Sequence, residues 1–337
     1  MNFKMFTVLL GCAAAAALVF AWLHSLSMIP SLKEIFSKQE PVAYSFFSDI
    51  RNARDKTRAD SINQITHREP VYILDLNKYV APKPDPSNYD EGFDNYSDST
   101  IEAHYYSEEL FESKFHYIEV RIKHPSQFRM ALAFDTYGKE PRKYPSEMAA
   151  EVNAVAAIDG SFYNNRYYGV LMYKRKMYRY YPYNLDVLLI DSEGNFHIVK
   201  DKQLENSDVF EKYDIVNALS FGPELVRDGE ALDLSKVVRW EPYSKEPRAA
   251  ICQFDDDLHY LLCTVDGRMD ESPGITTQQL ADVLAQKGVR IAYNLDGGKS
   301  GTLILGNQVK NVVAYGGERK LGDILYFASA LDGEANE

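Results

Sequence analysis

The stretch from 261 to 298 limits the fold of this 337-residue chain more than any other. An apolar run ends at Val265 and Asp266-Gly-Arg268 turns the chain; after a helical segment, a second apolar run ends in Asp296-Gly-Gly298. Thr276 and Gln279 have the spacing of a capping box, in which two side chains satisfy the free N–H groups of a helix start. Leu280, Val283 and Leu284 repeat at helical spacing, and Gly288 is placed to end the helix. The stretch therefore reads as strand–helix–strand. If the two strands are parallel and share a sheet, a right-handed crossover leaves both C-terminal ends on one edge. Asp266 and Asp296 then lie near each other, where open α/β sheets collect their ligands. Asp159, which closes a buried run after a short helix, is a third candidate. Each Asp-Gly taken singly is also an ordinary turn, which is all that Asp228-Gly229 suggests.

The surrounding signals are mostly strands. Residues 115–122 alternate, 130–134 form another strand, and 145–153 form a short helix with Ser146 as its cap, followed by a buried strand at 154–158. Residues 187–190 and 196–199 flank Asp191-Ser-Glu-Gly194 as a hairpin, and 249–254 and 260–265 flank three aspartates as a second. The expected class is α/β in the mixed α+β sense: a mixed β-sheet core with strand–helix–strand units and β-hairpins. In the second hairpin, Cys252 and Cys263 face each other if the turn centres on Asp257-Leu258 and lie diagonally if it centres on Asp256-Asp257. Two buried thiols are a plainer reading than a strained cross-strand disulfide. Asp255-Asp-Asp257 lacks the ligand spacing of a calcium loop and reads as an acidic turn.

Before this domain the chain changes character. Residues 5–23 are almost unbroken apolar, long enough to cross a bilayer as a helix, with Lys4 on the side that stays in the cytoplasm. A cleaved signal peptide and a lipid-carrying Cys12 are competing readings, and each of the three exports the rest of the chain. The expected organisation is a transmembrane anchor or signal segment at 1–29, a polar stalk at 30–100, a globular domain at 101–330 and a short tail at 331–337. The expected location is the cell membrane with the domain outside the cytoplasm, or a secreted or periplasmic form after cleavage. A net charge of −12 argues against a grip on nucleic acid, which depends on Lys and Arg neutralising phosphates. The seven histidines form no HExxH or HxH pair and there is no CxxC, so neither a metal site nor a cofactor is expected.

Seven blocks then occur in order: Ala157-Ile-Asp-Gly-Ser-Phe-Tyr-Asn164, Phe221-Gly-Pro-Glu-Leu-Val226, Pro247-Arg248, Val265-Asp-Gly-Arg268, Ser272-Pro-Gly274, Tyr293-Asn-Leu-Asp-Gly-Gly-Lys-Ser300 and Gly316-Gly-Glu-Arg319. Together, over about two thirds of the chain, they resemble the phosphodiester glycosidase family. The sequence departs from the family pattern in two places. Asp159-Gly-Ser-Phe-Tyr163 stands where an Asn-Gly-Gly-Phe-Phe is usual, and Lys299 and Gly301 replace the third glycine and last serine of the Asp-Gly-Gly block.

The resemblance implies cleavage between a sugar's anomeric carbon and a phosphodiester. A phosphate leaving group departs easily, so the demands are cationic clamping of the phosphate and a carboxylate facing an oxocarbenium-like carbon. By this resemblance Asp296 is the first candidate for nucleophile or base, with Asp266, Asp159 and Glu318 as partners. Arg248, Arg268 and Arg319 suit the phosphate because a guanidinium fork binds two oxygens at once. Lys299, Ser300, Gly297, Gly298 and Asn294 complete the implied substrate-binding set. Between 163 and 183 eight tyrosines alternate with five cations, which suits either sugar stacking or a solvated hairpin. The expected function is a membrane-anchored, extracytoplasmic glycosidase acting on a sugar-1-phosphodiester in a cell-surface glycan or exopolysaccharide. A non-catalytic glycan-binding or assembly protein on the same fold, with Lys299 filling the pocket, is the alternative.

Overall fold

The computed structural model describes residues 59–60, 74–75, 77–206, 208–236, 244–255 and 258–331. Among these the fold is mostly β, carried by three sheets. The largest runs, in spatial order, β1 (Asn95–Ser97), β2 (Ile101–Leu110), β3 (Ser113–Ile122), β14 (His259–Val265), β13 (Arg248–Gln253), β15 (Ile291–Asn294), β11 (Glu224–Arg227) and β12 (Glu230–Ala231). A second sheet orders β7 (Lys176–Tyr181), β6 (Gly169–Tyr173), β10 (Ile215–Ser220), β8 (Asp186–Asp191) and β9 (Phe196–Lys200). The third orders β17 (Gln308–Val309), β16 (Leu303–Leu305), β5 (Ala156–Asp159), β18 (Asp323–Phe327) and β4 (Phe128–Leu132). The α-helices that lie wholly within the described residues are α1 (Pro145–Glu151), α2 (Val209–Lys212) and α3 (Thr277–Gln286). The helical share of the expected α/β class is therefore smaller than expected, and the crossover unit is set within antiparallel neighbours.

That unit forms as its signals require. The Thr276 hydroxyl accepts from Gln279 N–H at 3.1 Å, the Gln279 side chain accepts from Thr276 N–H at 2.9 Å, and Gly288 closes the helix with φ +81°. Strand β13 pairs antiparallel with both β14 and β15, so β14 and β15 are parallel with β13 between them. Their C-terminal ends share one edge of the sheet.

Side-chain alternation explains why this sheet reads as nearly continuous apolar sequence. Ile118, Val120, Ile251 and Leu262 face a core shared by all three sheets, whereas Phe115, Tyr117, Ala250, Cys252 and Cys263 face the apolar stripe of α3. Both faces are covered, so both parities are apolar. Cys252 pairs with Leu261 and Ala250 with Cys263, which makes the cysteines diagonal neighbours, and both are buried free thiols.

The fold begins earlier than residue 101. Strand β1 pairs with β2, Tyr96 is buried in the main core, and Leu74 and Ala81 pack against Met148 and Val152. A few apolar anchors suffice to dock a polar stretch. Ser146 does not cap α1 but is its second residue. Among the described residues no helix is long and apolar enough to cross a membrane; the expected span at 5–23 lies outside them, as do most of 30–76 and the tail from 332.

Candidate active site

At the shared edge, beyond the ends of β15 and β5 and at the start of β13, lies an open cavity of about 500 Å³. That volume suits a small ligand such as a sugar with its phosphate. Asp296 stands on its wall. Its placement follows from the backbone: Leu295 N–H donates to Ala249 O at 2.8 Å and Asp296 N–H to Gly160 O at 3.2 Å, tying the end of β15 to β13 and to the turn after β5. Gly297 then passes so close to the Pro247 backbone that an added Cβ would lie 2.4 Å from its carbonyl oxygen, which only glycine allows.

Arg319 Nη2 donates to Asp296 Oδ2 at 2.8 Å and also contacts Ser300 Oγ; Ser300 in turn hydrogen-bonds Asp296. Burial pushes the Asp296 carboxyl up to about 6, against the Ser300 hydrogen bond and the nearby Arg319 and Arg166 guanidinium groups. Two further carboxylates lie behind it. Asp159 is fully buried; Oδ1 accepts from Thr302 N–H at 2.9 Å and Oδ2 has no hydrogen-bond partner. Burial, then the neighbouring Asp296 and Asp323, holds it well above the usual carboxylate range. Asp323 Oδ2 accepts from Ser161 N–H and Oγ, both at 2.8 Å, and burial raises it to about 6. Neither Asp159 nor Asp323 lines the cavity.

The cationic wall gathers from separated stretches. Arg248 is held by Ile275 O at 3.1 Å and Ser244 O at 2.9 Å, and burial lowers it to about 10. Arg268, Lys299 and Arg319 complete the set expected from sequence. Lys299 stands on the wall of an open cavity rather than filling it, and it is not among the residues with positive φ, so its backbone needs no glycine there. Gly298 lies against the Arg268 guanidinium. Asn294 donates to Gly222 O at 2.8 Å and so fixes the Gly222-Pro223 turn, a cis peptide, as another wall.

Two expected residues are elsewhere. Asp266 is buried beside His116, Nε2 to Oδ2 at 3.0 Å, and its other oxygen accepts from Val312 N–H at 3.0 Å; it does not line the cavity. Glu318 accepts from Ser146 N–H at 2.8 Å and from Ser146 Oγ at 2.5 Å, capping the start of α1 from across the chain. Ten cavity residues lay outside the expected set, among them Phe162, Arg166, Phe221 and Glu246. Arg166 stacks over Phe221 at 4.4 Å and Phe162 at 5.4 Å, and Glu246 meets Arg268 Nε at 2.6 Å. Their signals were present, because Phe162 and Phe221 fall inside family-like blocks and Glu246 immediately precedes Pro247-Arg248.

A largely buried carboxylate at a sheet edge, set among arginines around a sugar-sized cavity, defines a site for an anionic, carbohydrate-type ligand. The chain belongs to the phosphodiester glycosidase family, whose model matches residues 152–328. The SPbeta prophage-derived uncharacterized protein YomE of Bacillus subtilis (strain 168) is 26% identical over 196 residues, 56% of this chain and 30% of that protein. The chain thus spans less than a third of that relative. The zebrafish N-acetylglucosamine-1-phosphodiester α-N-acetylglucosaminidase catalytic domain, auto-inhibited by its pro-peptide, shares the fold: TM-score 0.57, 16% identity, 74% of this chain and 87% of that one.

Proposed function

We propose that the chain is a glycoside hydrolase that cleaves a sugar-1-phosphodiester in a cell-surface glycan or exopolysaccharide, outside the cytoplasm and tethered by residues 5–23. The observation that carries this reading is the convergence of Asp296 with Arg248, Arg268, Arg319 and Lys299 on one open cavity. In this reading the phosphate lies against Arg248, Arg268 and Lys299, where preorganised cations stabilise the charge that builds on the leaving oxygen. Asp296 faces the anomeric carbon, as nucleophile or as base toward water. The C1–O bond breaks with its electron pair leaving on the phosphate oxygen. Water supplies the hydroxyl of the free sugar and its remaining proton is released. The products are a sugar and a phosphomonoester. Arg319 and Ser300 orient Asp296, burial holds its carboxyl near 6, and Asp159 and Asp323 lie behind it, off the cavity wall.

A panel of sugar-1-phosphodiesters offered to the full chain and to Asp296→Asn tests the proposal. Turnover by the wild type and its loss in the variant are expected. No turnover on any member, with glycan binding equal in both proteins, overturns catalysis in favour of a binding module. Recovery of the full chain in washed membranes, with its domain open to protease added outside intact cells, tests the tether and its orientation.

A further inference from the structure

Among the described residues, five cationic side chains on the cavity wall face two carboxylates, Asp296 and Glu246. Glu246 is firmly held. Its N–H donates to Ile275 O and its carbonyl accepts from Ile275 N–H, both at 3.1 Å, with Ile275 fully buried. Gly274 lies so close beneath that an added Cβ would sit 2.5 Å from the Glu246 carbonyl carbon. The side chain is a third exposed and delivers Oε2 to Arg268 Nε at 2.6 Å, at the surface a ligand would meet. Arg248 begins two residues later and lines the same wall. A negative charge is thus fixed between two of the cations assigned to the phosphate.

We infer that Glu246 sets the charge selectivity of the pocket, favouring the singly charged phosphodiester substrate over the doubly charged phosphomonoester product. This rests on the proposed phosphodiester chemistry. Five cations and a single carboxylate would bind a dianion best, and that dianion is what hydrolysis leaves behind. The product would then block its own site. A fixed carboxylate repels each ligand charge, so it penalises a dianion about twice as much as a monoanion at the same place. It also occupies one N–H edge of Arg268, leaving the guanidinium's outer nitrogens for a diester's two unbridged oxygens. Glu246 therefore works as a release device: it weakens ground-state anion binding while Arg248 and Lys299 remain for the charge that develops during cleavage.

Dimethyl phosphate and methyl phosphate, one charge and two at pH 8, are probes of nearly equal size. Calorimetric titration of the full-length wild type, Glu246→Gln and Arg268→Gln compares their affinities. Glu246→Gln is expected to tighten methyl phosphate and move the diester-to-monoester ratio toward the monoester by roughly tenfold, the scale of one charge at a half-buried site. Arg268→Gln is expected to move the ratio the other way, and it carries the test if the Gln variant fails to fold. Ratios unchanged from wild type in either folded variant overturn the inference while leaving the phosphodiester reading intact. A wild type that binds neither probe overturns both.

Discussion

Asp266 and Asp296 lie just past the ends of two parallel strands of the same sheet, with β13 between them, and each is followed by a glycine. Their fates differ. Asp266 spends both oxygens on protein, His116 on one and Val312 N–H on the other, and its side chain is 3% exposed. Tyr105 extends that closed network by bonding His116 Nδ1 at 2.9 Å. The Asp296 side chain is 13% exposed, shares its charge with Arg319 and Ser300, and fronts a cavity. The topology of a sheet selects an edge. Which residue on that edge becomes chemically available depends on the segments that arrive later, here 310–312 over Asp266 and the close-packed Gly297 beside Asp296.

Neutralising each aspartate in turn separates their roles. Asp296→Asn is expected to lower kcat/KM by on the order of 10³-fold, the usual scale for a positioned acid–base or nucleophilic group, with the fold intact. Asp266→Asn is expected to do the reverse. It leaves kcat/KM within about threefold, and it lowers stability by about 2 kcal/mol because a buried histidine loses its charged partner. Steady-state kinetics and urea melts on the same two proteins decide it. Equal activity losses would place Asp266 in the chemistry and dissolve the distinction.

The next expectation concerns pH. In the folded state Asp296 and Asp323 titrate at about 6, above the ordinary value of 3.8. Between about pH 4 and 6 the folded protein keeps protons that the unfolded chain releases. Their contribution to stability is thus present at low pH and lost as pH rises through about 6. If Asp296 acts as an anion, kcat/KM rises through the same window. Activity and stability should cross, one climbing as the other falls. A pH–rate profile flat through this range would remove Asp296 from the role. Asp323→Asn isolates the stability side, since it keeps the acceptor for Ser161 and deletes a buried charge. It should raise Tm by a few degrees at pH 8 and bring no gain at pH 4.

Much of the site's framework was legible because its signals are local. The capping box of α3, the apolar runs of β14 and β15, the hairpins, and the Asp296 and Arg248 blocks all declare themselves within a few residues. Long-range pairing supplied the rest. Asp323 follows a single glycine and carries no motif, and it matters only because β18 pairs with β5, placing Ile324 opposite Asp159. The cysteine register hung on one residue of turn length. Glu318 entered the expected set through the Gly316-Gly-Glu-Arg319 block it shares with Arg319, but the two side chains part. One reaches the cavity and the other caps α1. Tyr96 was hidden by its polar neighbours, since a short edge strand needs only one buried aromatic.

The smallest effect asks how far the open side of the edge extends. Arg166 joins the cavity to the tyrosine-rich surface, lying over Phe162 and Phe221 on one side and 5.9 Å from the Tyr168 ring on the other. Tyr168 stacks on Tyr183 at 4.4 Å, and Tyr167, 64% exposed, stands nearly perpendicular to it at 5.2 Å. Ring and guanidinium contacts thus run from the cavity wall to the exposed Tyr167. If a polymer is the substrate, its next sugar would meet Tyr167, and a ring contact of about 1 kcal/mol is worth roughly fivefold in affinity. Tyr167→Ala should therefore raise KM about that much for an oligosaccharide phosphodiester, leave kcat unchanged, and not alter KM for a one-sugar substrate. An equal change for both substrates would mean that the tyrosine only supports the hairpin. No change for either would confine recognition to the pocket itself.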